Sequence, residues 1–202
     1  DRRPGLPRGS ATHGRPGPVW VDIPIDIQGM TIDASDLTPS SPPESAPQVN
    51  GGATPLSHIS TLLRQARRPV LLAGSGIRVA RAQQDLFRVI DRLRIPVLVS
   101  RRGADLLPED HPFFFGRPGV YGQRHANFII QNADLLLSIG CRLSIPLIGR
   151  NHQAFARAAK KIVVDIDKHA ISKGRVVPDV AIAADAKDFT LEMLRVAKKI
   201  SK

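Results

Sequence analysis

Five short aliphatic runs constrain the fold of this 202-residue chain more than any other feature. Runs of four to six residues without apolar–polar alternation are typical of strands that are buried on both faces. Segments with helical spacing separate them, so they predict βαβ units and a parallel sheet covered by helices on both sides. We therefore predict an α/β fold, a three-layer open sandwich whose parallel sheet has about six strands. The runs cover residues 69–73, 96–100, 134–139, 161–165 and 180–183.

Helical periodicity fills the segments between these runs. Apolar side chains recur there at intervals of three and four residues, as on the buried face of an amphipathic helix. Where the runs meet the helical segments, Gly, Ser or Asp follows, which is typical of a ligand crevice at the carboxyl ends of parallel strands. The predicted helices begin near Leu56, include Leu86 to Leu93, and cover residues 126–132, 152–159 and 187–199.

The chain divides into three zones of different composition. Residues 33–55 are rich in Pro and Ser and contain no Lys or Arg, which is typical of a linker between domains. We predict that residues 56–202 form one domain and that residues 1–32 are an irregular segment outside it. Within that segment, Val19 to Pro24 predicts a short strand that ends at proline. No neighbouring strand lies near it in sequence, so its sheet is expected elsewhere.

Composition argues against three classes of protein: nucleic-acid-binding, membrane-associated and disulfide-rich. The formal net charge is +11, but Lys and Arg occur as scattered pairs without interleaved aromatic residues, so we expect no nucleic-acid binding. Instead, the basic residues are expected to face solvent or acidic partner surfaces. No apolar run approaches the roughly 20 residues that span a bilayer, so we expect no membrane association and a cytoplasmic location. The single cysteine, Cys141, excludes a disulfide framework and predicts a buried small side chain.

No set of residues with catalytic spacing is evident. We find no nucleophile–base pair, no paired acid and base carboxylates, and no metal-ligand spacing. His111 lies in a predicted loop, where a lone histidine is more often a hydrogen-bonded turn residue than a catalyst. The sequence therefore predicts neither a catalytic residue nor a metal site in this chain.

The first aliphatic run ends at a glycine turn, Gly74-Ser75-Gly76. Glycines after a strand allow a tight turn and let a phosphate approach backbone N–H groups, but the same pattern occurs in α/β proteins that bind no dinucleotide. Arg101 and Arg102 follow the second run, where an NAD-binding domain would carry an acidic residue for the ribose. Paired arginines would suit the 2′-phosphate of NADP, so a stand-alone FAD- or NADP-binding module stays open as an alternative.

Polar residues follow two later runs. Asp165 and Asp167 end the fourth run, where carboxylates could bind ribose hydroxyls or Asp167 could cap the next segment. We give these two interpretations equal weight. Arg142 follows the third run and could bind a phosphate or pair with Asp105. The stretch from Gly116 to Gly122 could let a flat ligand approach the backbone, or it could be an ordinary loop.

A series of motifs resembles, in order, those of thiamine diphosphate-dependent enzymes of the acetolactate synthase and pyruvate oxidase family. The stretch from Gly14 to Gln28 resembles the end of the pyrimidine-binding domain of that family. The resemblance covers nearly all of the chain from Gly14 onward. The motifs similar to the family's central domain are Arg68–Gly76, Pro108–Pro112, Gly116–Gly119, Ala133–Gly140, Lys161–Asp167 and Ala184–Ala186.

The resemblance implies that the chain is the central domain of a carboligase or decarboxylase that acts on 2-oxo acids. In that family the central domain is a parallel six-stranded sheet between helices, and in the acetolactate synthase branch it holds FAD. Thiamine diphosphate and Mg²⁺ bind to pyrimidine- and diphosphate-binding domains, through a glutamate and a Gly-Asp-Gly motif that this sequence lacks. Because these groups are missing, this chain alone is expected to be inactive. The resemblance also implies that the parent enzyme is a homodimer or homotetramer.

The resemblance also implies which residues would contact FAD. Two departures from the family pattern weigh against flavin binding: Ala104-Asp105 follows Gly103 where a second glycine is usual, and Ser144 and its neighbours replace an acidic segment after Arg142. FAD binding and a purely structural role therefore both remain open. Carried over by position, the candidate cofactor-binding residues are Gly74, Ser75, Gly76, Gly103, Gly116, Gly119, Gly140, Arg142, Asp165 and Asp167.

Overall fold

The computed structural model describes residues 17–33, 35 and 56–200, with side chains up to residue 198. The chain divides into two compact units, Asp1–Gln48 and Val49–Lys202. No helix among the described residues is long and apolar enough to cross a membrane. Apart from Asp33 and Ser35, the predicted linker 33–55 lies outside the described residues.

The second unit contains a sheet of five parallel strands in the order β2-β1-β3-β4-β5. Strand β1, next to the edge strand β2, pairs with both β2 and β3, so that Leu71 lies between Val97 and Leu137. The α/β prediction and the parallel sheet are thus confirmed. The strands are β1 (Pro69–Ala73), β2 (Val97–Val99), β3 (Leu135–Ile139), β4 (Lys160–Asp165) and β5 (Val180–Ala183).

A short extended segment, residues 113–115, pairs with β2 but does not form a sixth strand. Phe114 forms an isolated parallel bridge with Val97. The Val97 N–H donates to Phe113 O at 2.8 Å, and the Phe115 N–H donates to Val97 O at 2.9 Å. The pairing then shifts by one residue, because the Val99 N–H donates to Gly116 O, and Gly116 has a positive φ of 88°. This shift ends the ladder and explains why the segment is a bridge and not a full strand.

Helices connect the strands of this sheet. In the second unit, the predicted helices near Leu56, around Leu86–Leu93, at 126–132 and at 187–199 are confirmed, with ends that differ by a few residues. Three short helices of this unit, which begin at residues 76, 145 and 168, were not predicted. The helices of both units are α1 (Ile25–Gln28), α2 (Leu56–Gln65), α3 (Gly76–Val79), α4 (Gln83–Leu93), α5 (Arg124–Asn132), α6 (Ile145–Ile148), α7 (Lys168–Ser172) and α8 (Ala186–Ile200).

The helix predicted for residues 152–159 is wrong. Only a 3₁₀ turn forms there, at His152–Ala154, and the chain then extends at Phe155 (ψ 121°). Ala156 has a positive φ of 44°, which a helix cannot contain. Both side chains are buried, Phe155 at 2% exposure, so tertiary packing overrides the helical spacing of this segment.

The two faces of the sheet bury different cores. On the first face, α2, α4 and α8 supply buried residues such as Ile59, Ile90 and Met193, which pack against side chains such as Leu71 and Leu137 of the sheet. On the second face, α5 and α6 are the regular elements, and irregular segments supply further buried side chains. The buried residues of the second face include Leu72, Leu98, Ala126, Ile130, Ile148 and Phe155.

The described part of the first unit contains the short helix α1 and no strand. Residues 17–24 have no regular secondary structure, so the strand predicted for Val19 to Pro24 is not formed. A strand needs a neighbouring strand to satisfy its backbone groups, and the described residues of this unit provide none. The side chains of Trp20 and Ile25 are 90% and 86% exposed.

Candidate functional site

The parallel sheet brings the predicted site residues to one edge. The first glycine turn follows β1, Gly103 follows β2, Gly140 and Arg142 follow β3, and Asp165 ends β4. Because all five strands run in the same direction, these turns meet at the carboxyl edge of the sheet. The edge is therefore the candidate binding site.

The first glycine turn packs directly on the turn after β3. A Cβ atom on Gly74 would overlap the carbonyl oxygen of Gly140, and one on Gly76 would lie 2.7 Å from Gly140 Cα. The Gly74 N–H donates to Ile139 O and the Gly76 N–H donates to Gly140 O, both at 2.9 Å. Close packing of two turns is thus sufficient reason for these glycines, and their N–H groups are already used within the chain.

Other candidate glycines also use their N–H groups internally. Gly103 donates to Ser100 O at 2.8 Å, and Gly140 donates to Val164 O at 2.9 Å. Gly119 donates to a side chain and is treated with its loop below. Within the part of the chain that the structure describes, Ser75, Gly116 and Arg142 are the candidates whose N–H groups have no hydrogen-bond partner. These three N–H groups could bind an anion without breaking a hydrogen bond.

Two side chains, that of Asn127 on α5 and that of Gln123 just before it, hold the loop from Gly116 to Gln123, the glycine loop, in one conformation. The Asn127 side chain accepts from the Gly119 N–H at 2.8 Å and donates to Gly119 O at 3.1 Å. The Gln123 Oε1 accepts from the Arg117 N–H at 2.7 Å. The Val120 N–H donates to Pro146 O at 2.9 Å, which fixes the loop to α6.

The β2 and β3 part of the edge is basic. The Arg142 side chain is exposed and has no hydrogen-bond or ion-pair partner in the described ranges. Asp105 pairs with Arg78, so the predicted alternative, a pair between Arg142 and Asp105, is wrong. Exposed Arg101 lies over the ring of Tyr121, with 5.0 Å from Cζ to the ring centroid. Arginines without carboxylate partners at this edge favour an anionic ligand.

The β4 and β5 part of the edge is acidic. Asp165 is 7% exposed, and its Oδ1 accepts from the Asp167 N–H at 3.0 Å. The Asp167 carboxylate accepts from the His169 and Ala170 N–H groups, so the predicted capping role is confirmed. Asp185 occupies the equivalent place after β5, with its Oδ1 2.7 Å from the Lys187 N–H. Our candidate residues omitted Asp185, although Ala184–Ala186 is one of the family-like motifs.

Cys141 is buried beside these turns, and its thiol is unreactive. Burial raises the pKa of the thiol to about 12, partly opposed by the hydroxyl group of Ser100 and reinforced by the negative charge of Asp165. A thiol with this pKa is not ionised near neutral pH, so it cannot act as a nucleophile. The prediction of a buried small side chain is confirmed.

His111 lies away from the carboxyl edge, before the segment that bridges to β2. Its ring stacks on Phe87, with 6.1 Å between centroids, and Nδ1 accepts from the Phe113 N–H at 3.3 Å. This supports the predicted role as a hydrogen-bonded loop residue. Among the described residues, no group of three or more His, Cys, Asp or Glu side chains could hold a metal ion.

Comparison with known proteins shows the family. The profile described as "Thiamine pyrophosphate enzyme, central domain" matches residues 56–194. The chain is 36% identical over 187 residues to a probable acetolactate synthase large subunit of Methanocaldococcus jannaschii, covering 91% of this chain and 31% of that protein. It is 33% identical over 184 residues to the acetolactate synthase isozyme 1 large subunit of Escherichia coli, covering 91% of this chain and 32% of that protein.

A plant protein gives the same result. Acetolactate synthase 2, chloroplastic, of Zea mays is 38% identical over 179 residues, which cover 88% of this chain and 27% of that protein. The chain thus spans about a third or less of the length of these relatives. The profile match covers well over half of the chain and coincides with the five-stranded unit. The chain belongs to the family of thiamine pyrophosphate enzymes, as their central domain.

Proposed function

We propose that this chain is the central domain of a larger thiamine diphosphate-dependent carboligase or decarboxylase that acts on 2-oxo acids, as acetolactate synthase does. The observation that carries the proposal is the family match over residues 56–194, together with relatives that are named as acetolactate synthases. In this proposal, residues 33–55 link the central domain to a pyrimidine-binding domain, to which residues 1–32 belong. The parent enzyme is a cytoplasmic homodimer or homotetramer.

The coenzyme and Mg²⁺ bind outside this chain in the proposed enzyme. Thiamine diphosphate supplies the carbanion chemistry when it is bound, and the protein supplies binding and orientation. The five-stranded unit acts as the structural centre of the polypeptide and forms one wall of the substrate cleft. The isolated chain is therefore not a catalyst.

Turnover tests this part of the proposal. Pyruvate consumption is measured with thiamine diphosphate and Mg²⁺ for the 202-residue chain and for the polypeptide encoded by the complete reading frame that contains it. We expect turnover by the complete polypeptide alone. Turnover by the 202-residue chain would contradict the assignment of catalysis to other domains, and inactivity of both would contradict the enzyme class.

We further propose that the carboxyl edge of the sheet binds FAD. The support is the division of charge along this edge: unpaired Arg142 and the free N–H groups of Ser75 and Gly116 suit a diphosphate, while Asp165 suits ribose hydroxyls. Gly74, Gly76 and Gly140 contribute by the shape of the interlocked turns and not by their N–H groups. Gly103, Gly119 and Asp167 shape the flanking turns.

Calorimetric titration of the chain with FAD, and separately with NADP, tests this site. We expect FAD to bind and Arg142→Gln to weaken it by about 10- to 100-fold, the effect of losing a hydrogen bond to a charged group. Arg195→Gln, on the exposed side of α8, is the matched control and leaves the affinity unchanged. Absence of FAD binding would leave a purely structural domain, and binding of NADP alone would favour the alternative of a separate dinucleotide-binding module.

A further inference from the structure

The His111 side chain connects the helix α4 to the segment that pairs with β2. We call that segment, residues 113–115, the bridging segment. The His111 ring stacks on Phe87 of α4, with 6.1 Å between the centroids and 24° between the planes. Its Nδ1 accepts from the Phe113 N–H at 3.3 Å. The side chain is only 13% exposed, so these contacts fix the ring between α4 and the bridging segment.

The two ring nitrogens of His111 face different partners. Nδ1 accepts a hydrogen bond only while it carries no proton, so the neutral ring carries its proton on Nε2. Nε2 lies 3.9 Å from Asp91 Oδ1 on α4. A protonated ring donates from both nitrogens, so it no longer accepts from the Phe113 N–H and instead forms an ion pair with Asp91. The neutral ring is therefore bonded to the bridging segment, and the charged ring is bonded to α4.

Charges of opposite sign surround this ring. Asp91 favours the charged form, and its side chain is 67% exposed, so the attraction is modest. Arg94, which follows α4 and lies over the Phe113 ring with 5.7 Å from Cζ to the centroid, opposes it. Glu109 and Asp110 of the same loop are exposed and screened by solvent, and β2 supplies only apolar side chains. Each charge state thus has a partner, and histidine is the side chain whose charge ordinarily changes between pH 5 and 8.

The bridging segment extends the effect to the edge of the sheet. The Val97 N–H donates to Phe113 O at 2.8 Å, and the Phe115 N–H donates to Val97 O at 2.9 Å. These bonds cover β2, which is an edge strand of the five-stranded sheet. The next residue, Gly116, begins the glycine loop and accepts from the Val99 N–H at 3.0 Å. Release of the Phe113 N–H therefore loosens both the pairing with β2 and the start of the glycine loop.

We propose that His111 is a pH-sensitive latch on the bridging segment. The neutral ring holds the segment against β2 by accepting from the Phe113 N–H. On acidification the charged ring pairs with Asp91, and the segment separates more readily from β2. The latch depends neither on FAD nor on turnover, so the proposed function does not have to hold for it to operate.

Nuclear magnetic resonance of the 202-residue chain tests the two bonding states. Nitrogen chemical shifts identify the ring nitrogen that carries the proton, and we expect it to be Nε2 at pH 8. As the pH falls to 5, the amide proton of Phe113 should shift with the same midpoint as the His111 ring. A proton on Nδ1 at pH 8, or a Phe113 amide that does not follow the ring, would overturn the proposal.

Hydrogen exchange measures the loosening of the bridging segment. The protection of the Val97 and Phe115 amides, corrected for the intrinsic exchange rate at each pH, should fall about 3- to 10-fold between pH 7.5 and pH 5.5. This is the effect of losing one hydrogen bond. The Asp179 amide, which donates to Lys161 O at the opposite edge of the sheet, is the internal control and should keep its protection. Constant protection of Val97 and Phe115 over this range would contradict the latch.

Substitutions assign the pH dependence to one histidine. In His111→Gln the pH dependence should disappear, because glutamine does not change its charge. The matched control is His125→Gln, because the exposed His125 ring lies beside Gly116, with Nε2 3.1 Å from where a Cβ atom on that glycine would lie. His125→Gln should keep the pH dependence of the wild type. The opposite result for the two variants would assign the effect to His125 and overturn the proposal.

The carboxylate partner is tested in the same way. Asp91→Asn should reduce the loss of protection at pH 5.5, because the charged ring then has no carboxylate to pair with. Asp188→Asn, which removes the same charge from the exposed side of α8, should leave the loss unchanged. An equal loss in Asp91→Asn and in the wild type would show that the charged ring does not exchange the bridging segment for α4, which would also overturn the latch.

Discussion

The two faces of the sheet are built in different ways, and the candidate site depends on the less regular one. On the first face, three helices of ten or more residues, α2, α4 and α8, cover the strands. On the second face, α5 and the four-residue α6 pack beside the irregular chain around Phe155. The glycine loop lies against α6, so this loop of the candidate site belongs to the second face. The comparison suggests that regular packing supports the fold while irregular packing positions the loops.

The largest expected effect comes from breaking the second face at Phe155. This side chain is 2% exposed and fills the core where no helix forms. Phe155→Ala should cost about 3–5 kcal/mol of unfolding free energy, because it leaves a cavity in addition to the lost transfer energy. Chemical denaturation measures this. Phe128→Ala, on the exposed side of α5, is the control and should cost less than about 1 kcal/mol.

A cost below 1 kcal/mol for Phe155→Ala would mean that the irregular segment collapses into the cavity. The second face would then rearrange to fill a cavity, and the two faces would differ in how rigidly their side chains are packed. Leu86→Ala on α4, at 0% exposure, gives the first-face reference, with an expected cost of about 2–5 kcal/mol.

The next effect concerns the interlocked turns that the two faces share. Gly140→Ala places a Cβ atom 2.9 Å from Gly76 Cα at a φ of +57°, and should cost about 2–4 kcal/mol from overpacking and strain together. Gly149→Ala is a matched control, because its φ is +82° but no atom lies within 4 Å of the new Cβ. Its ψ of 173° places it in a region that is essentially restricted to glycine, so it should cost about 1–3 kcal/mol from the backbone conformation alone. Equal costs in denaturation would show that the turns do not interlock.

Sequence could predict the strands but not these contacts. An uninterrupted aliphatic run needs only local pattern to be recognised, so all five strands were placed correctly. The role of Gly74 was harder, because the residue that occupies its missing Cβ, Gly140, lies far along the chain. A glycine that makes room for a phosphate and one that makes room for another turn look alike in sequence.

The failure at residues 152–159 has the same origin. Its apolar residues have helical spacing, but burial of Phe155 and Ala156 against the second core, not the local pattern, decides its conformation. The Arg101–Tyr121 pair was also invisible because it joins two loops. Segments with a regular apolar pattern are therefore readable from sequence, while the candidate site depends on long-range contacts.

A smaller effect on stability should appear at the amino edge of the sheet, where hydrogen bonds to the Asp134 side chain connect the start of β1 to the start of β3. Burial raises the pKa of Asp134, but the backbone N–H groups of Arg67 and Arg68, at 2.7 and 2.9 Å from its carboxylate oxygens, outweigh it and lower the pKa below 3.8. A lowered folded-state pKa stabilises the protein above the unfolded value, and this contribution is lost as pH falls through the folded value. Asp134→Asn should cost about 1 kcal/mol at pH 7 and progressively less below about pH 4.

Denaturation of both proteins between pH 7 and pH 3 measures this dependence. Glu192→Gln, on the exposed side of α8, corrects for the general effect of removing one negative charge. A stability difference between wild type and Asp134→Asn that is constant over this range would show that the carboxylate charge does not contribute. Hydrogen exchange should show equal loss on both faces, because Asp134 joins the start of β1 to the start of β3.

The smallest effect tests whether backbone strain differs between the faces. Arg81, between α3 and α4, has a φ of +55° and an exposed side chain, so Arg81→Gly should stabilise the protein by about 0.5–1 kcal/mol. Ala156 has a similar φ of +44°, but its methyl group is fully buried. Ala156→Gly should therefore gain nothing, because losing the burial of one methyl group, worth about 0.8 kcal/mol, cancels the relief of strain. Equal gains at both positions in thermal denaturation would show that the Ala156 methyl group does not contribute to packing, and that the second face tolerates strain for a reason other than burial.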